Sequence, residues 1–275
     1  MKTNSIIHTE ALHLISNHSG LRIFDVRTGA DAKEMYQKKH LQNAAFVDLN
    51  TDLADINDPK IGGRHPLPSF STFIKTLGRL GIDKDSEVVI YDDKNGANAG
   101  ARFWWMLKAV GHQNVRVLNG GFQFAESQHY PVASGDQSYA EADYVSGCNK
   151  WQLPQVSIDN VKTATQNPDF LIVDVRECTR YQGITEPIDL VAGHIPKAEN
   201  FPFTENLDEN GLFKSPDILK DSYTAFFKNK ASDKIIFHCG SGVTACHSLL
   251  ALDHAGFEIP NLYVGSWSEW SRNEV

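Results

Sequence analysis

The chain has 275 residues, 41% of them hydrophobic, four cysteines and a formal net charge of −8 at pH 7. It is long enough for two domains with separate cores, and no apolar run approaches the roughly 18 residues of a membrane span. An acidic chain without a basic cluster argues against nucleic acid as a partner, and cysteines at 148, 178, 239 and 246 have no metal-ligand spacing.

Taken in chain order, the stretch from Met1 to His8 lacks the apolar core of a signal peptide. Ile23-Phe24-Asp25-Val26-Arg27 predicts a short strand. His40-Leu41-Gln42-Asn43-Ala44 and the loop Gly62-Gly63-Arg64-His65-Pro66 follow, then a strand at Val88-Val89-Ile90-Tyr91 that ends on Asp92. Arg102 to Leu107, with Trp104 and Trp105, is helical in pattern and apolar nearly all round. That predicts core or inter-domain packing rather than a ligand platform. Gly111 closes this helix, Gly120-Gly121-Phe122 follows, and the polar run from Ala133 to Ser138 predicts the start of a linker.

The second half repeats the first. Ile172-Val173-Asp174-Val175-Arg176 echoes Ile23 to Arg27 at an offset of 149, and His194-Ile195-Pro196-Lys197-Ala198 echoes His40 to Ala44 at 154. Ile235 to Cys239 matches Val88 to Asp92 at 147, while Gly256 and Gly265-Ser266-Trp267 match Gly111 and Gly120-Gly121-Phe122 at 145. Landmarks in the same order at nearly one spacing mean two copies of one domain. The expected division is an N-terminal domain over 1–132, a linker over 133–155 and a C-terminal domain over 156–275. Short Val/Ile/Phe runs alternating with longer helical patterns predict an α/β fold. Each copy should be a mostly parallel sheet flanked by helices, with active loops at the carboxyl ends of the strands.

The copies diverge where the strand ends. The second runs through Phe237 and His238 into Cys239-Gly240-Ser241-Gly242-Val243-Thr244-Ala245, ahead of the helical Ser248 to Leu252. A cysteine delivered by a strand into a glycine-rich turn at a helix N-terminus is set for nucleophilic chemistry. Backbone N–H groups and the helix dipole there favour the thiolate. A plain strand-to-helix joint has no need of glycines at 240 and 242. Tyrosine phosphatase loops open the same way, but they need an arginine six residues after the cysteine to grip phosphoryl oxygens. Here that residue is Ala245. In the first copy Asp92 heads the loop, and the interval to Gly111 is two residues longer than that from Cys239 to Gly256. A carboxylate in that place repels anions and cannot act as a thiolate nucleophile, so the first domain is expected to be catalytically silent.

The loop Cys239 to Thr244, with Arg180-Tyr181-Gln182-Gly183, Glu186-Pro187, Gly193-His194-Ile195-Pro196 and the duplication, resembles the rhodanese-type sulfurtransferases, most closely their mercaptopyruvate branch. The resemblance covers essentially the whole chain. It implies two tandem rhodanese-like domains, the first inactive. It also implies a Cys239 persulfide that moves sulfane sulfur from a small anionic donor to a thiol such as thioredoxin or glutathione, or to cyanide, without cofactor or metal. Cys239, Ser241 and His65 take the catalytic roles by this resemblance. Arg180, Gly240, Gly242, Val243 and Thr244 take the substrate-binding ones. Because thiosulfate-specific members carry a basic pair where this chain has Gly240 and Ser241, 3-mercaptopyruvate is the favoured donor. Thiosulfate is the alternative, and a non-catalytic sulfide-binding or regulatory module is a further one.

The chain departs from the family pattern twice. Ile188-Asp189 stands where a second donor-binding arginine is usual, and Asn50, between Asp48 and Asp52, stands at the position of the aspartate that accompanies the histidine. Arg64 is a candidate source of the missing positive charge. Cys246 is expected to pack in its helix, His40 and His194 to make matching structural hydrogen bonds, and His247 and His254 to share a helical face without completing a metal site. A reactive thiol suits a reducing compartment, and the cytoplasm is the expected location.

Overall fold

The computed structural model describes residues 4–274; Val275 and the first three residues of the N-terminal stretch lie outside the described residues. The chain divides into two compact units. Unit 1 comprises Met1–Leu53, Pro68–Gln152 and Asn210–Leu212, and unit 2 comprises Ala54–Leu67, Leu153–Glu209 and Phe213–Val275.

Unit 1 contains β1 (Ile6–Ile7), α1 (Thr9–Ile15), β2 (Leu21–Asp25), α2 (Ala32–Lys38), β3 (His40–Leu41), β4 (Ala44–Phe46), α3 (Phe70–Arg79), β5 (Glu87–Tyr91), α4 (Ala99–Ala109), β6 (Val115–Leu118), α5 (Gly121–Ser127) and β7 (Val132–Ala133). Its main sheet has the order β1-β6-β5-β2-β4, parallel throughout, and β3 pairs antiparallel with β7 in a separate ribbon. Unit 2 contains β8 (Gln155–Val156), α6 (Ile158–Gln166), β9 (Leu171–Asp174), α7 (Cys178–Tyr181), β10 (Glu199–Asn200), α8 (Pro216–Phe227), β11 (Ile235–His238), α9 (Ala245–His254), β12 (Asn261–Tyr263) and α10 (Ser266–Asn273). Its sheet, also parallel throughout, has the order β10-β9-β11-β12-β8. The two orders superpose strand for strand, so the sequence repeat is a structural one.

The central strands are buried along their length, which is why they read as continuous apolar runs rather than alternating ones. The register sets Asp25 beside Tyr91 and Asp174 beside His238. Asp92 and Cys239 therefore each fall one residue beyond the carboxyl end of a central strand. The paired landmarks have paired structural roles. Asp25 and Asp174 each grip the guanidinium two residues on, with Arg27 Nε at 2.9 Å and Arg176 Nε at 3.0 Å. His40 stacks on Tyr36 and His194 on Tyr181, and in each case histidine Nδ1 lies 2.8 Å from that tyrosine's carbonyl oxygen. Trp104 and Trp105 are fully buried in the core of unit 1, with Trp105 stacked near Trp151.

Two stretches have packing that the repeat alone does not dictate. Residues 133–152 run with unit 1: the Ala142 N–H donates to Gly78 O, the Gln152 N–H donates to Ala109 O, and Tyr139 Oη donates to Asn43 O. Residues 54–67, which belong to the first copy by sequence, pack with unit 2 instead.

Candidate active site

The site is built around the loop between β11 and α9. The Cys239 N–H donates to Ser266 Oγ (3.1 Å), and Ser266 Oγ in turn donates to Tyr263 O (2.9 Å). The carbonyls of Cys239 and Gly240 accept from the N–H groups of Trp267 and Ser268, the start of α10. Gly242 sits at φ +71°, and a Cβ there would lie 2.4 Å from Val264 O, so only glycine fits. Cys239 is 2% exposed. Among the described residues, the backbone N–H groups of Gly240, Ser241, Val243 and Thr244 have no hydrogen-bond acceptor in the protein. A loop of unsatisfied donors at the start of a helix is an anion-binding arrangement.

The corresponding loop of unit 1 shows what such donors do when an anion is supplied. Asp92 is wholly buried, and its carboxylate accepts four backbone N–H groups: Lys94 and Gly96 on Oδ1 (both 2.8 Å), Asn98 and Gly100 on Oδ2 (3.0 and 3.1 Å). Burial raises the Asp92 carboxyl to about 6 against the pull of these donors. The helix α4 starts seven positions beyond Asp92 and is 11 residues long, whereas α9 starts six beyond Cys239 and is 10 long. The two extra residues of the first copy are thus shared between loop and helix.

Positive charge reaches the Cys239 loop from two segments of unit 2. Arg180, on the short helix α7, donates through Nη2 to Glu186 Oε1 (2.7 Å). Glu186 also accepts from Arg176 Nη1 (3.2 Å) and from the Ile188 and Asp189 N–H groups. Burial works against the Glu186 carboxylate, but the hydrogen bonds from Arg180 and the backbone outweigh it and hold its pKa below the ordinary value. Arg64 arrives on the 54–67 stretch and donates from Nε to Asp189 Oδ1 (3.0 Å). That stretch is pinned to α10 by Gly62 N–H to Glu269 Oε1 (2.7 Å) and Arg64 N–H to Ser268 Oγ (3.1 Å). Gly63, at φ +78°, lies so close that a Cβ would be 2.3 Å from Gly265 O. The same turn brings His65 Nδ1 to 2.8 Å from Ser241 Oγ.

The structure thus gathers Cys239, Gly240, Ser241, Gly242, Val243, Thr244, Arg180 and His65 into unit 2. Asn50 belongs to unit 1, where it is exposed in a turn with its N–H on Asp48 Oδ1 (2.7 Å), and the neighbouring Asp52 pairs with Arg79. Cys246, on α9, donates through Sγ to Gly242 O (3.4 Å) in the loop that precedes the helix. His238 packs beside the loop with Nε2 3.7 Å from Asp174 Oδ2, and burial lowers its pKa despite that carboxylate, so it is held neutral. Ser266 goes unmarked by any sequence motif; it is a left-handed residue (φ +54°) where the first copy has Gly121 (φ +61°). A serine at a position its repeat gives to glycine is the available signal. Among the described residues, no group of three or more His, Cys, Asp or Glu side chains is placed to hold a metal ion, and no helix is long and apolar enough to cross a membrane.

Comparison with known proteins gives a consistent picture. The Rhodanese-like domain family matches residues 8–125 and again 157–273. A probable 3-mercaptopyruvate sulfurtransferase of Pseudomonas aeruginosa is 38% identical over 86% of this chain and 82% of its own length. A thiosulfate sulfurtransferase of Gallus gallus is 34% identical over 92% of this chain and 86% of its own. Among solved structures, a 3-mercaptopyruvate sulfotransferase from Escherichia coli superposes with a TM-score of 0.79 at 30% identity, covering 97% of this chain and 100% of that one.

Proposed function

The chain belongs to the rhodanese-like family, carries its domain twice and is a sulfurtransferase; from that premise we propose that it moves sulfane sulfur from 3-mercaptopyruvate to a thiol through a persulfide on Cys239. The observation that carries this reading is the contrast between the two loops. In unit 1 the donors are filled by the Asp92 carboxylate; in unit 2 Cys239 heads the loop, and the N–H groups of Gly240, Ser241, Val243 and Thr244 are left for a ligand.

In the first half-reaction the Cys239 thiolate attacks the donor sulfur and an S–S bond forms. The C–S bond breaks with its electron pair on carbon, leaving the enolate of pyruvate, which takes up a proton. The loop N–H groups stabilise the anionic outer sulfur. With the His65 ring donating to Ser241 Oγ, the serine hydroxyl proton is directed at the donor's ketone oxygen, where negative charge develops. In the second half-reaction an acceptor thiolate attacks the outer sulfur and Cys239 leaves as thiolate. Thioredoxin or glutathione fits this step; cyanide attacks the same outer sulfur through carbon and leaves as thiocyanate, with Cys239 again the leaving thiolate. A reactive thiol of this kind suits a reducing, cytoplasmic setting.

Steady-state kinetics with both donors tests the assignment. Turnover of 3-mercaptopyruvate is expected with the higher kcat/KM, and a higher value with thiosulfate overturns the donor. Ser241→Ala should lower kcat/KM for 3-mercaptopyruvate by roughly 10- to 100-fold, the usual range for losing one hydrogen bond to developing charge. The thiosulfate reaction, whose leaving group has no ketone, should change by less. Equal losses with both donors would mean that Ser241 shapes the loop and does not serve the ketone.

A further inference from the structure

We propose that His238 is a positioning residue for Cys239: its Nδ1–H holds the Cys239 carbonyl oxygen and so turns the Gly240 N–H outward for the sulfur, a bond that the silent copy lacks. The proposal rests on the reading of Cys239 as the nucleophile. The imidazole is wholly buried at the end of β11, with Nδ1 3.2 Å from Cys239 O. A carbonyl oxygen can only accept, so this contact assigns the proton to Nδ1. The other nitrogen also faces an acceptor, but Asp174 Oδ2 stands 3.7 Å from Nε2, beyond hydrogen-bond reach. That oxygen is already taken by Arg176, whose Nη2 and Nε donate to it at 2.6 and 3.1 Å. Burial keeps the ring neutral against the pull of Asp174, and Arg176 and His194 act in the same sense as burial. A neutral imidazole has one N–H, and the Cys239 carbonyl receives it.

The peptide that follows Cys239 is trans, so its C=O and N–H point opposite ways. Two donors fix the oxygen, His238 Nδ1 and the Trp267 N–H at 3.0 Å. The Gly240 N–H, on the other edge of the same plane, therefore faces away from both, and it has no acceptor in the protein. A bond to the carbonyl also polarises the peptide and makes that N–H a better donor. Unit 1 supplies the comparison. The Phe122 N–H donates to Asp92 O (2.9 Å) as the Trp267 N–H donates to Cys239 O. Tyr91 stands in the place of His238, however, and its Oη accepts the Leu41 N–H (2.9 Å) instead of reaching the loop. The first copy has the bond from the helix and lacks the bond from the strand. Among the described residues, the second bond is found in the copy whose loop must hold a charge that the protein does not itself supply.

The test measures alkylation of Cys239 by iodoacetamide at about pH 6.5, followed by mass spectrometry of the peptide that contains it, alongside steady-state turnover. His238→Ala should slow alkylation and lower kcat by about tenfold each. KM for the donor should stay within about threefold, because the imidazole acts through the Cys239 peptide and touches no donor. His238→Asn should keep both rates within about threefold of wild type, since its Nδ2–H stands where the imidazole Nδ1–H does. His238→Tyr, the residue of the first copy, should behave as His238→Ala, and it decides the question if His238→Ala fails to fold. Unchanged rates in a folded His238→Ala or His238→Tyr, or a His238→Asn as slow as His238→Ala, overturn the proposal; the ring would then fill space and no more. Alkylation needs no sulfur donor. Its outcome is therefore separate from whether Cys239 carries sulfur, which the mass of the donor-treated protein reports.

Discussion

Cys239→Ser is expected to abolish sulfur transfer, with a loss of at least about 10³-fold, because a serine hydroxyl at neutral pH neither attacks sulfur nor holds it as a persulfide. Cys239 is the residue that the β11 register delivers into the loop of open N–H donors. The other cysteines have settled roles or positions elsewhere. Cys246 donates to Gly242 O ahead of its helix, Cys148 donates to Val110 O, and Cys178 is exposed. Serine at each of those three should keep most activity. Mass spectrometry of the protein incubated with donor should find about 32 Da, one sulfur, on the peptide that contains Cys239. Sulfur on the Cys246 side of that peptide, or full turnover by Cys239→Ser, would overturn the nucleophile.

The second large effect concerns stability and falls in unit 1. Asp92→Ala removes the wholly buried acceptor of four backbone N–H groups. Those of Gly96 and Gly100 are buried and, orphaned, cost about 1–3 kcal/mol each, those of Lys94 and Asn98 are partly open to water and cost less, and the carboxylate no longer buried offsets part of the loss. A net loss of roughly 3 kcal/mol lowers the Tm of unit 1 by roughly 10 °C. Catalysis per folded molecule should change little. The pH dependence runs opposite to that of a salt-bridged aspartate. The folded carboxyl, raised to about 6 by burial, holds its proton more tightly than the unfolded chain does. Stability from this group is therefore full below about pH 4, falls as pH rises to about 6 and is level above it, a change of about 3 kcal/mol. The gap in stability between wild type and Asp92→Ala should widen as pH falls from 7 to 5. A gap that narrows would mean that the four donors outweigh burial and keep the carboxylate ionised.

Much of this architecture is legible in the chain because it is written locally. The runs at Ile23, Val88, Ile172 and Ile235 are short, apolar and repeated, and the parallel sheets follow from them. Glycines at 240 and 242 mark the loop because at 242 the backbone meets that of Val264, and at 240 it leaves room for the Arg64 and Arg180 side chains. What escapes sequence reading is convergence. Asp189 reads as a departure from the family's pattern until it is seen buried among Arg64, Arg180 and Arg272, contacts 125, 9 and 83 residues away that leave no periodic trace. Ser266 is hidden for the same reason: its left-handed backbone and its bond to the Cys239 N–H are tertiary facts. The β3–β7 ribbon, two residues on each strand, is too short to register as a pattern.

The path of residues 54–67 has a consequence for how this duplicated chain can be divided. The copy that keeps the cysteine does not own its whole site, since Arg64 and His65 are encoded in the other copy and lent to it by a turn that only Gly63 can make. Cutting the gene between the repeats would separate Cys239 from Arg64 and His65 even if each half folded. A substitution confined to the Asp92 loop leaves Arg64 and His65 in place, whereas a deletion that runs through residues 54–67 removes both. Fourteen residues of the first repeat thus pack as part of the second, and the boundary between the structural units does not coincide with the boundary between the repeats.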